Sequence, residues 1–170
     1  MNFEPEFFIT LPTNQAIDKA TGLKVLKIGF SHESNGQDEK RSRTWNRIYL
    51  STLWQHGQLF TNLRAWYRIP EPENTDKSTD IQKYMGYGDL SFNYLCGKNQ
   101  FGLHLRNSLD FDKGQNYGAI KVDWFYPFFN AYNTYWYLEY FNGYGESLID
   151  YNRQKDRKIG IGLSFSRNVF

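Results

Sequence analysis

With 170 residues the chain can form one domain with a sizeable core, and a formal net charge of +2 gives no reason to expect a nucleic-acid partner. Aromatic residues supply 19% of the chain, yet its mean hydropathy is low, and no stretch approaches the roughly 20 consecutive apolar residues of a membrane-spanning helix. A helical membrane protein is thereby excluded, whereas a membrane barrel is not, because barrel strands alternate apolar and polar residues and look hydrophilic on average.

The first residues, Met1-Asn2-Phe3-Glu4-Pro5, lack the basic start and apolar stretch of a signal peptide. Short alternating segments then predict strands at about 5–11, 22–35, 43–54, 58–69, 84–97, 99–109, 117–128, 132–142 and 157–169, with almost nothing at helical period. His56-Gly57, Gly97-Lys98-Asn99 and Lys113-Gly114-Gln115-Asn116 carry residues that tolerate hairpin turns. The stretch from Pro70 to Lys83, with two prolines and many charges, reads as a solvent-exposed loop. Cys96 stands alone, so an internal disulfide framework is excluded. No domain boundary or repeat divides the chain.

Several segments are two-sided. Ile120, Val122, Trp124 and Tyr126 oppose Lys121 and Asp123; Trp136, Leu138 and Tyr140 oppose Tyr137 and Glu139; Leu59, Leu63 and Ala65 oppose Arg64 and Arg68. In a soluble sandwich the inner face would be a dry core that rejects Lys27, Arg47, Arg64, Lys121, Asp123 and Glu139 unless each found a partner. In an outer-membrane barrel the same residues line a polar interior, where opposite charges pair, and the apolar face meets lipid. Tyr and Trp gather near segment ends, as aromatic girdles would. An ordinary antiparallel sheet with one wet face is the plain alternative.

The candidate chemistry lies at 32–46. His32 and Ser34, two apart on a strand, share one face and could set an imidazole beside a hydroxyl, a base beside a nucleophile. That face also carries Leu26, Ile28 and Phe30, while Lys27, Ser31 and Glu33 point the other way; Glu33 is therefore expected to pair with an interior arginine. On the next segment Asn46 shares parity with Ile48, Leu50 and Trp54, which puts an amide able to orient the imidazole on an apolar face too. His56 falls in a turn and His104 on an inner face, so a three-histidine zinc site is not expected.

The stretch 31–49, SHESNGQDEKRSRTWNRIY, resembles the active-site segment of the outer membrane phospholipase A family, with its HxSNG and SRxWNRxY elements. The resemblance continues in Tyr84-Met85-Gly86-Tyr87, in Gly143-Tyr144-Gly145-Glu146-Ser147-Leu148-Ile149-Asp150-Tyr151-Asn152, and up to the terminal Phe170. It implies an all-β fold, an antiparallel transmembrane β-barrel of the bacterial outer membrane, with residues 1–170 forming the C-terminal portion of a single barrel domain. It also implies calcium-dependent hydrolysis of phospholipid acyl esters, active as a homodimer. By motif position Ser34 would be the nucleophile, His32 the general base and Asn46 the residue that fixes the imidazole. The backbone N–H of Gly36 would help hold the oxyanion. Calcium would be bound by the Gln37 carbonyl and the Ser42 side-chain oxygen, with waters and a second protomer completing a shell of about 6–8 oxygens. Single-chain bacterial barrels have an even number of strands, and family members carry further N-terminal strands, so the chain is expected to be an incomplete barrel. The alternative is a non-catalytic barrel fragment or a small porin-like outer-membrane protein.

Overall fold

The computed structural model describes residues 2–38, 41–72, 74–109, 117–129, 131 and 133–165; the predicted turn Lys113-Gly114-Gln115-Asn116, the pair Glu39-Lys40 and the terminal Phe170 lie outside the described residues. Among the described residues nine strands form one antiparallel sheet in chain order: β1 (Glu6–Pro12), β2 (Leu23–Ser34), β3 (Thr44–His56), β4 (Leu59–Ile69), β5 (Gly88–Cys96), β6 (Asn99–Asn107), β7 (Gly118–Pro127), β8 (Thr134–Gly143) and β9 (Lys155–Phe165). Each predicted segment corresponds to one strand. The sheet is open: β1 and β9 are its two edges. The connections 35–43, 70–87, 108–117 and 144–154 join strands at one end, while the other end has the short turns 57–58 and 97–98 together with the connections 13–22 and 128–133. Every connection at the first end has nine or more residues, whereas two of the four at the second are two-residue turns, an asymmetry in the direction expected of an outer-membrane barrel wall.

The two faces have opposite chemistry. One side carries an apolar band that runs across neighbouring strands through Ile9, Ile28 and Leu50, which face one another in register. Ile9 is 68% exposed, Ile28 51% and Ile161 78%. Exposed apolar side chains aligned in this way are unfavourable in water and suit a hydrocarbon surrounding. The other side is a paired ionic interior: Lys27 to Glu6 at 3.0 Å, Arg47 to Glu33 at 3.1 Å, Arg64 to Asp89 at 3.0 Å and Lys121 to Asp123 at 3.3 Å. Each interior charge expected from the sequence thus finds an opposite partner, Glu33 included, which is the condition for keeping charges out of bulk water.

At the long-loop end the interior turns apolar. Trp45 and Tyr49 of β3 and Trp66 of β4 pack with Ile81, Met85, Leu148 and Tyr151, and Trp45 meets Trp66 edge to face at 6.2 Å. Here the loop 70–83 departs from the sequence expectation. The short helix α2 (Ile81–Met85) begins in it and runs into the start of the strand predicted at 84–97, which begins only at Gly88; Ser78 and Ile81 are fully buried, and Asp76 accepts two bonds from Arg68, at 2.7 and 2.6 Å. Tyr84 packs there against the rings of Tyr117, Tyr144 and Tyr151, with centroids 4.7, 5.3 and 5.8 Å away. Burial and the Asp80 carboxylate, which accepts its hydroxyl hydrogen bond, push the Tyr151 phenol well above its usual range, so it stays a donor. A second helix, α1 (Gln15–Thr21), joins β1 to β2 and is capped by the Asn14 side chain, which accepts from the Ile17 N–H at 2.9 Å.

The segment 143–152 is explained by this end layer. Gly145 has φ +66°, and a Cβ there would stand 2.5 Å from the Arg106 guanidinium and against the Met85 sulfur. That guanidinium donates to the carbonyls of Tyr144 at 2.6 Å and Gly145 at 3.2 Å. Gly145→Ala is expected to lower stability by about 2 kcal/mol, from the left-handed backbone and the displaced arginine. A denaturant midpoint equal to that of the parent protein would contradict this account.

Candidate active site

The candidate residues sit at the long-loop end of β2 and β3, on the apolar outer face. Along β2 the even-numbered backbone groups bond to the β1 side: the His32 N–H donates to the Pro5 carbonyl at 3.1 Å and the Ser34 N–H to the Phe3 carbonyl at 2.9 Å. Toward β3, His32 therefore forms the closely spaced pair type with Asn46, its direct partner in register. The outcome is a contact of 2.8 Å between His32 Nδ1 and Asn46 Oδ1. Ser34 lies two residues further on the same face, half-buried, and its backbone is clamped between Phe3 and Thr44. Among the described residues no hydrogen bond joins Ser34 to His32; such bonds are often long without substrate and tighten when it binds.

Beyond Ser34 the chain turns through Gly36, whose φ of +62° favours glycine. A side chain there would also press on the Phe3 ring, 3.0 Å away. Buried Asn35 staples the loop: its Nδ2 donates to the Arg41 carbonyl at 2.7 Å, and its Oδ1 accepts from the N–H groups of Gln37 at 3.3 Å and Arg43 at 3.0 Å. This draws the two arms of the loop, with Gln37 on one and Ser42 on the other, toward each other. The donors they offer, a carbonyl and a hydroxyl, are the hard oxygens that suit calcium. Among the described residues no cluster of three His, Cys, Asp or Glu side chains could hold a metal, so any cation here relies on such neutral oxygens and on donors from elsewhere.

Two residues to which the sequence assigned no role in the chemistry belong to this site. Asn35 is one; its ability to close an Asx turn was the available signal. Glu71 is the other, placed by the sequence in a solvated loop. It accepts a hydrogen bond from Asn46 Nδ2 at 2.9 Å, and its signal was parity: with Tyr67 and Ile69 it continues the outer face of β4, and Ile69 pairs with Asn46. His104 does not join the site. It lies in the interior, 2.8 Å from the Ser91 hydroxyl, bordering a polar cavity of about 390 Å³.

The phospholipase A1 family model matches residues 1–165. The chain is 34% identical over 167 residues to phospholipase A1 of Escherichia coli (strain K12), which covers 95% of this chain and 52% of that protein. The crystal structure of a Salmonella typhi outer membrane phospholipase dimer with bound calcium superimposes with a TM-score of 0.84 at 32% identity, over 97% of this chain and 60% of that one. Outer membrane phospholipase A from Escherichia coli superimposes with a TM-score of 0.81 at 29% identity, with the same coverage. The chain spans about half the length of the curated relatives it matches.

Proposed function

The chain belongs to the phospholipase A1 family, and from that premise we propose that it forms the catalytic wall of an outer-membrane, calcium-dependent phospholipase acting through Ser34, His32 and Asn46. The observation that carries this reading is the 2.8 Å contact between His32 Nδ1 and Asn46 Oδ1 on a lipid-facing surface, with a hydroxyl two residues away. An amide oxygen accepts, so Nδ1 carries the hydrogen and Nε2 offers its lone pair. Ser34 Oγ attacks the acyl carbonyl while His32 takes its proton, and the proton passes on to the departing lysophospholipid oxygen. Water then attacks the acyl-Ser34 ester under the same base, releasing a fatty acid and restoring the serine.

Asn46 holds the imidazole in place but, being neutral, stabilises imidazolium less than a carboxylate would. The Gly36 N–H provides one donor for the oxyanion. The Gln37 carbonyl and Ser42 hydroxyl would hold calcium, which when bound supplies positive charge for that oxyanion. Waters and a second copy of the chain would complete its shell of about 6–8 oxygens. A homodimer in the outer membrane follows from the same reading, as does a substrate arriving sideways from the leaflet, since the site opens on the apolar face.

The test is fatty-acid release from phospholipid in mixed micelles. Turnover is expected to require calcium, to vanish in excess EDTA, and to recover poorly with magnesium, which demands a smaller and more regular shell. Ser42→Ala should shift the calcium titration to higher concentration without loss of fold. Undiminished turnover in chelator would overturn the metal role.

A further inference from the structure

We propose that Glu71 is a positioning residue for the reaction: its carboxylate fixes the Asn46 amide, and through the amide the His32 tautomer able to accept the Ser34 proton. This rests on the triad reading above.

An asparagine in the third position has an ambiguity that an aspartate lacks. Its oxygen accepts and its nitrogen donates, and a half-turn about the last side-chain bond exchanges them. With the nitrogen facing His32, the imidazole would have to accept at Nδ1 and carry its hydrogen on Nε2, leaving no base for Ser34. Something must therefore select the orientation. Asn46 Oδ1 stands 2.8 Å from His32 Nδ1, and Asn46 Nδ2 stands 2.9 Å from Glu71 Oε1. A carboxylate only accepts, so reversing the amide would set oxygen against oxygen and break both bonds.

Glu71 is well placed to hold this geometry. It extends the outer face of β4 one step past Ile69, the register partner of Asn46. It is flanked by Pro70 and Pro72; proline fixes its own φ, and the residue before a proline is confined to extended conformations. The carboxylate is thus presented from a stiff segment.

The experiment compares three variants of the folded protein, reading kcat and KM on phospholipid together with the His32 tautomer by imidazole ¹⁵N NMR. Glu71→Gln keeps an acceptor and should retain the parent tautomer, with kcat within about 3-fold. Glu71→Ala should give mixed tautomers and a kcat about 10-fold lower at unchanged KM. Glu71→Lys offers a donor, draws the amide oxygen away from His32, and should give the Nε2–H tautomer with a loss of roughly 100-fold or more. A parent-like tautomer in both the Ala and the Lys variant overturns the proposal, whatever happens to kcat. Turnover by Ser34→Ala in the same assay would overturn the triad reading instead, so the two failures are distinguishable.

Discussion

Ser34→Ala is expected to reduce phospholipid hydrolysis by roughly 10⁴-fold or more while leaving the protein folded. The loss follows from removing the nucleophile the proposed mechanism depends on, whose attack splits one difficult ester hydrolysis into two easier steps. The fold should survive because Ser34 is held through its backbone. Its N–H and carbonyl bond to Phe3, and it pairs in register with Thr44, none of which involves the hydroxyl. His32→Ala should be comparably severe, since the serine then has no proton acceptor. Asn46→Ala should be milder, because the base remains and only its orientation suffers. Full fatty-acid release by a folded Ser34→Ala variant would remove the nucleophile assignment, and equal losses in the His32 and Asn46 variants would remove the division of roles.

What made the strands readable is that a barrel wall has a different solvent on each side. In β7, Ile120, Val122 and Trp124 face one way and Lys121 and Asp123 the other, a period of two that no helix imitates. The short helices were not readable for a related reason. The seven residues of α1 span two turns, too few to establish a 3.6-residue period, although Asn14 and Gly22 supply the capping chemistry at its ends. The loop 70–87 failed differently. Its charges read as a solvated surface, but Asp76 pairs with buried Arg68, and Ile81 and Met85 are buried by Trp45, Trp66, Leu148 and Tyr151, which arrive from three other parts of the chain. Parity alone could place His32, Ser34 and Asn46 on outer faces. It could not set His32 opposite Asn46, which depends on the β2–β3 register, nor bring in Glu71, which depends on where β4 ends.

The largest effect on stability is expected at Arg47. It is 4% exposed, donates to Glu33 at 3.1 Å and to Glu4, reaches the Ser31 hydroxyl at 3.3 Å, and lies 4.0 Å over the Trp45 ring. Arg47→Ala would leave Glu33 buried, with the neutral donors Trp45 Nε1 at 2.8 Å and Asn2 Nδ2 at 3.1 Å as its bonded partners among the described residues. An uncompensated buried charge of this kind costs about 3–5 kcal/mol. The pair itself need not be worth that much: replacing both partners, as in Glu33→Gln with Arg47→Met, should recover most of the loss, because no bare charge remains. Unfolding midpoints in denaturant, with the electrophoretic shift between unheated and boiled samples, would measure this. An Arg47→Ala variant as stable as the parent would show that the interior charges are solvated, not paired. The change should also reach catalysis, since Ser31 and Glu33 alternate with His32 and Ser34 along one strand. Loosening the inner face of β2 shifts the outer face it shares a backbone with, so Arg47→Ala should lower kcat even in the fraction that remains folded, and the double replacement should restore it.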